Sequence, residues 1–251
     1  MIVAEGLRKC YGSTVAVEDL SLTVDGELFG FLGPNGAGKT TTIKMMTGLL
    51  KPDRGSVRIK GFDITSQPLE AKKCLGLVPE RPYVYPKLTG REFLFFMADL
   101  YRIDRQTACR RLEHLVEIFD LDTHIDRLIE SYSHGMKQKI ALSGALIHDP
   151  QVLFLDEPTV GLDPKSARNL KNLLRGLVQR GVTVFMSTHI LEIAESMCDR
   201  VGIIDKGRLI ALGTMKELRE RFAEHKSLED IFLELTGGDE YREVLRYLQE
   251  S

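Results

Sequence analysis

Two kinds of apolar spacing alternate along this chain. Val15 to Val24 alternates apolar and polar residues, Leu28 to Leu32 (L-F-G-F-L) is an unbroken apolar run, and Gly55 to Lys60 follows the turn-forming Pro52-Asp53-Arg54. The stretch to about Gly61 is therefore predicted to be rich in strands. Thr40 to Leu50 has helical spacing, and Leu75 to Val78 is another short strand. From about Arg91 to Leu121 apolar residues recur at three and four (Phe93, Phe96, Met97, Leu100; Leu112, Leu115, Val116, Phe119), which predicts a block of helix. Strand spacing returns at Val152 to Leu155 and Val182 to Met186, with Ser166 to Gln179 helical between them. That order implies parallel strands joined by helical crossovers, an α/β chain interrupted by a helical insertion. Val201 to Ile204 and Arg208 to Leu212 flank Asp205-Lys206-Gly207 as a hairpin. Thr214 to Glu217 has the form of a capping box, and Ser227 to Leu235 reads as a capped amphipathic helix.

With 251 residues, 43% of them hydrophobic, the chain can bury a large core. Its net charge of -2 and isoelectric point near 6.3 lack the basic footprint of phosphate-backbone binding, so no nucleic acid is expected as a partner. Cys10, Cys74, Cys109 and Cys198 are scattered without metal-type spacing, as in a reduced compartment. The N-terminal segment carries no apolar signal core, and no apolar run approaches the roughly 20 residues that cross a bilayer. A cytoplasmic protein is expected.

Gly33-Pro34-Asn35-Gly36-Ala37-Gly38-Lys39-Thr40-Thr41 fills every fixed position of G-x-x-x-x-G-K-[ST], with a strand pattern before it and a helix pattern after. A triphosphate is a strongly hydrated anion, and a ring of converging N–H donors can replace its water. The helix N-terminus adds partial positive charge, Lys39 adds a full one near the β and γ phosphates, and the Thr40 hydroxyl can ligate Mg2+. ATP and Mg2+ are the expected substrate and metal. Asp156-Glu157 follows a buried strand, at the strand end where α/β sheets place ligands. Asp156 would hold the magnesium hydration shell, and Glu157 would polarise the attacking water. Ser187-Thr188-His189 ends the next strand, where Ser or Thr can cap a helix and His189 can reach a phosphate oxygen. Ser133 to Lys139 (S-H-G-M-K-Q-K) opens another helix and forms a second anion-type N-terminus, more than one triphosphate needs.

In this order the P-loop, Ser133 to Gln138, Asp156-Glu157, Gly161-Leu162-Asp163 and His189 resemble the ATP-binding subunit of ABC transporters over nearly the whole chain. The resemblance implies a P-loop NTPase core of RecA type with an N-terminal antiparallel β-subdomain and an inserted helical subdomain at about 82–150. The ATPase domain would run over 1–218, with a helical extension over 219–251. It also implies two subunits paired head to tail, as a homodimer or with a second ATPase. Ser133, Gly135 and Met136 of one would close over the ATP on the other's P-loop. Asp163 matches the loop that crosses the interface, and Tyr11, in K-C-Y-G, matches the aromatic that stacks on adenine.

Two positions depart from the commonest family pattern. His134 replaces the first glycine of L-S-G-G, and Glu80 replaces the glutamine that ends the strand before the insertion. Glu80 can ligate Mg2+ as glutamine does but, when ionised, donates no hydrogen bond. Arg81 to Leu88 places Tyr83 and Tyr85 between prolines. In the family this region faces a separately encoded membrane permease. The tail from Lys216, with six basic and ten acidic residues, is similar to those of subunits serving multidrug, antibiotic or lipid exporters. The expected function is thus ATP-driven export, from a position peripheral to the cytoplasmic face of the membrane. A soluble ABC-type ATPase and an ATP-dependent regulatory switch are the alternatives.

Overall fold

The computed structural model describes residues 1–222 and 228–236; Ser227 and the tail beyond 236, part of the expected extension, lie outside the described residues. Elements are numbered in chain order. An antiparallel sheet of order β2-β1-β4-β5 comprises β1 (Ile2–Tyr11), β2 (Thr14–Val24), β4 (Arg54–Ile59) and β5 (Phe62–Asp63). A second sheet has the order β10-β9-β3-β8-β7-β6 and comprises β3 (Leu28–Leu32), β6 (Leu75–Val78), β7 (Val152–Asp156), β8 (Thr183–Thr188), β9 (Arg200–Asp205) and β10 (Arg208–Gly213). Within it β6, β7, β8, β3 and β9 pair in parallel, and only β10 runs antiparallel to its neighbour.

Strand β3 shows why an unbroken apolar run belongs at the centre. Successive side chains point to opposite faces, and both faces are covered. Phe29 and Phe31 enter the apolar cluster between the two sheets, where Phe185 meets Phe29, Phe31 and Phe154 at ring-centroid distances of 5.4, 5.2 and 5.5 Å. Helix α1 (Lys39–Met46) closes that layer with Ile43, Met45 and Met46. Leu28 and Leu32 enter the opposite cluster, with α5 (His134–Leu146), α6 (Pro164–Gln179) and α7 (Leu191–Met197). Each fully buried large side chain contributes about 1.5–3 kcal/mol of transfer free energy.

The helical block divides into α3 (Gly90–Leu100) and α4 (Arg105–Ile118), separated at Arg102, whose φ of +56° breaks the helix. Thr89 and Glu92 form a reciprocal capping box at the start of α3, and the Asp104 side chain accepts from Thr107 N at the start of α4. Phe93, Leu94, Leu112 and Leu115 join the same apolar cluster as Leu153 and Val184, so the block shares its core with one face of the parallel sheet. The helix after the P-loop ends at Met46, short of the predicted Leu50, because Thr47 caps it and Gly48 turns out at φ +68°.

A short helix α2 (Pro68–Lys73) leads into β6, and α8 (Met215–Phe222) opens with the expected box, Thr214 N donating to Glu217 and Glu217 N to the Thr214 hydroxyl. Helix α9 (Leu228–Leu235) buries Leu228 and Ile231 in the cluster that holds Ala194, Met197 and Leu218. Among the described residues, no helix is long and apolar enough to cross a membrane.

Candidate functional site

The loop between β3 and α1 is built by close backbone approach. A Cβ on Gly33 would lie 2.5 Å from the Ile204 carbonyl oxygen, and one on Gly38, at φ +109°, 2.5 Å from that of Ala16. A larger residue at either position would push the loop off β9 or β2. The loop is also tied from outside: Gly207 N donates to Ala37 O at 2.9 Å, and Glu18 N donates to Gly207 O at 2.8 Å. Gly38 is the N-cap of α1 and supplies no side chain to its first turn, which leaves the backbone N–H groups there for an anion.

Lys39 is 7% exposed, and its Nζ donates to Gly33 O at 2.8 Å and Pro34 O at 3.2 Å. The same Nζ lies 3.7 Å from Glu157 Oε1. Across the cleft, His189 Nδ1 approaches Glu157 Oε1 at 3.0 Å from the end of β8. Glu157 is buried, its Oε2 has no partner in the protein, and its φ is +51°. A non-glycine residue in that region costs on the order of 1–3 kcal/mol and marks a position held by its surroundings. Those surroundings are visible: Glu157 N donates to both the carbonyl and the hydroxyl oxygen of Ser187, each at 3.2 Å, and Ser187 Oγ donates to Asp156 Oδ1 at 2.5 Å. Ser187 thus positions the two carboxylates and caps no helix. Thr188 likewise accepts from Ile190 N at 3.0 Å, while α7 starts after Ile190 without a side-chain cap.

The resulting cleft has a volume of about 370 Å³ and is lined by Ala16, Asn35, Gly36, Gly38, Lys39, Thr40, Thr41, Glu80, Glu157, Val160 and His189. That size lies in the range of small-ligand sites. Gly33, Pro34 and Ala37 form the loop behind this lining. Thr40, Glu80 and Asp156 line an adjoining recess, and their hydroxyl and carboxylate oxygens are the hard donors a magnesium ion takes. Among the described residues no three carboxylate, imidazole or thiol groups converge as a cage, so phosphate oxygens and water would complete the coordination.

The remaining expected residues stand elsewhere. Tyr11 is half exposed at the β1–β2 turn and does not line the cleft. Ser133 caps α5, accepting from Met136 N at 3.3 Å, and Asp163 caps α6, accepting from Ser166 N at 2.9 Å. The Ser166 hydroxyl, which donates to Asp163 Oδ2 at 2.6 Å, and then the Ser166 N–H hold the Asp163 carboxyl below its ordinary pKa. Gly135 backs onto the Gly161 carbonyl, so the starts of α5 and α6 sit together, and neither they nor Met136 line the cleft. Ala16, Val160, Ser187 and Gly207 belong to the site's construction although no motif contains them all. Only the strand-end position of Ser187 signalled one of them in advance.

Tyr83 is 84% exposed, whereas Tyr85 packs edge-on against Phe96 at 5.3 Å. With Leu49, Leu100 and Pro79 they line a groove of about 350 Å³ between α3 and the turn that follows α1.

The family description "ABC transporter" matches residues 17–160. The linearmycin resistance ATP-binding protein LnrL of Bacillus subtilis (strain 168) is 40% identical over 222 residues, covering 88% of this chain and 71% of the relative. The daunorubicin/doxorubicin resistance ATP-binding protein DrrA of Streptomyces peucetius is 41% identical over 219 residues, 87% of this chain and 66% of the relative. A solved structure described as the ATP-binding subunit of an ABC transporter superimposes with a TM-score of 0.90 at 34% identity, covering 94% of this chain and 99% of that one. The family match over residues 17–160, the relatives at 40% and 41% identity and the superposition over 94% of the chain agree, and the chain belongs to the ABC transporter family.

Proposed function

We propose that this chain is the ATP-binding and ATP-hydrolysing subunit of an exporter, pairing with a second ATPase subunit around two ATP molecules and driving a separately encoded permease. The observation that carries the reading is a division of the expected machinery. Lys39, Glu157 and His189 converge in one cleft, while the starts of α5 and α6 form a separate surface. Each chain then holds half of two reaction centres.

In the proposed reaction the phosphates lie along the loop from Gly33 to Thr41 and the first turn of α1, and Lys39 releases its loop carbonyls for the β and γ oxygens. Tyr11 stacks on the base, and the partner's copies of Ser133, Gly135, Met136 and Asp163 close the far side. Magnesium, held by Thr40, Asp156 and Glu80, would neutralise charge on the phosphates. Glu157 accepts a proton from the attacking water, and His189 holds that carboxylate in line and reaches the γ-phosphate. ATP favours the closed pair and ADP does not, so turnover opens it again; that difference in affinity is the source of the work.

Relatives named for linearmycin and daunorubicin/doxorubicin resistance and for Nod factor export support the export direction. The apolar groove with Tyr83 and Tyr85 offers a surface for the permease. The ATPase domain over 1–218, its helical insertion over about 82–150, the extension over 219–251 and the place at the cytoplasmic face are part of the same proposal. Measuring specific ATPase activity across a hundredfold range of protein concentration tests it. Activity per chain should rise as pairs form, and a constant value down to strictly monomeric material would overturn it.

A further inference from the structure

The first residue of α5 carries a side chain where the commonest family pattern has none, and that side chain has a defined partner. The His134 ring lies over the α-carbon of Gly161: a Cβ built there would sit 2.4 Å from His134 Cδ2 and 2.9 Å from Nε2. Gly161 has φ +79°, and Gly135 faces its carbonyl from the next position of α5. The segment under the ring is short and stiff. Val160 N donates to Glu157 O at 3.3 Å, Leu162 N donates to Thr159 O at 3.2 Å, and Asp163 is fixed by two bonds from Ser166. Glu157, with its φ of +51°, begins this segment and has little freedom to absorb a shift at Gly161.

We infer that His134 is a positioning residue whose ring, wedged on Gly161, fixes the Val160–Asp163 loop and couples the start of α5 to Glu157 of the same chain. This rests on the paired-subunit reading, since the start of α5 would face the nucleotide on the opposite P-loop. Contact with that nucleotide is then passed, through the ring, to the chain's own hydrolytic carboxylate. The two sites respond to each other over one side-chain contact.

The test compares wild type with His134→Gly and His134→Phe, recording kcat, KM and the Hill coefficient for ATP. Removing the ring should lower kcat about tenfold, the order expected of a sub-ångström misplacement, move KM little and bring the Hill coefficient toward one. Phenylalanine keeps the wedge and should keep both kcat and cooperativity. An unchanged kcat and Hill coefficient in His134→Gly would overturn the inference, as would an equal loss in His134→Phe. Gel filtration with ATP in a Glu157→Gln background separates pairing of the subunits from the wedge. If Glu157→Gln alone forms no ATP-dependent pair, the paired-subunit reading fails; if it pairs while His134→Gly turns over like wild type, the wedge fails.

Discussion

His189 Nδ1 stands 3.0 Å from Glu157 Oε1, and Lys39 Nζ stands 3.7 Å from the same oxygen. One carboxylate oxygen is therefore shared by the lysine and the histidine while the other, Oε2, is left buried without a protein partner. That asymmetry suits a group that must keep one lone pair for a proton from water.

Replacing Glu157 by Gln keeps the shape and removes the proposed base. ATP affinity should stay within a few-fold, and kcat should fall by about 10²- to 10⁴-fold, the usual contribution of a positioned general base. Single-turnover hydrolysis beside equilibrium binding measures both quantities. Equal turnover in the two proteins would remove Glu157 from the role.

Lys39→Ala should act on binding first. A hydrogen bond to a charged group contributes about 1.5–3 kcal/mol, so the Kd for ATP should rise by roughly 10- to 150-fold. Titration with a fluorescent ATP analogue reads this directly, and an unaltered Kd would contradict the assigned contact.

His148 gives a signature in stability against pH. Its ring stacks on Tyr101 at 3.7 Å and 7°, and Nε2 lies 3.0 Å from the Leu75 carbonyl oxygen to which it donates. Burial pushes its pKa from 6.5 down to about 4. Below the higher value the unfolded chain takes up a proton that the folded chain refuses. Its contribution to stability is therefore lost as pH falls from about 6.5 to about 4, and the loss levels off below that. His148→Phe keeps the stack and loses the bond to Leu75, a cost of about 1 kcal/mol at pH 8. Its Tm deficit should shrink as the pH is lowered to 5; a deficit constant across that range would count against the buried, neutral imidazole.

Tyr83→Ala with Tyr85→Ala should leave the ATPase of the isolated subunit near wild type and reduce permease-coupled transport in vesicles. Transport at the wild-type rate would exclude the groove as the coupling surface.

Much of the fold was legible because the parallel strands are buried on both faces and so read as plain apolar runs. Leu28 to Leu32 and Leu75 to Val78 occupy the predicted positions, and the P-loop lies between strand and helix as its spacing required. The end of α1 was not legible. Leu49 and Leu50 continue the apolar pattern past Thr47-Gly48, yet Leu49 is exposed in the groove and not packed beneath the helix. Helices α2 and α7 span six and seven residues, too short for a period to register. Within the site, residues named by motif were readable one by one. The role of Ser187 between Asp156 and Glu157, and the seat of His134 on Gly161, arise only when separate strands and loops are brought together.

Gly207 sets the order in which the phosphate cradle is made. It donates to Ala37 and accepts from Glu18, and with φ +79° it approaches the Ala16 carbonyl too closely for any side chain. The recognition motif thus leaves the ribosome early, but the hairpin that braces it is among the later parts of the chain to be synthesised. Because chains emerge N-terminus first, nucleotide cannot stabilise a nascent subunit through a fully braced loop until both ends of that architecture exist. Truncation before the hairpin would then yield a polypeptide that carries the complete motif and still lacks a finished cradle.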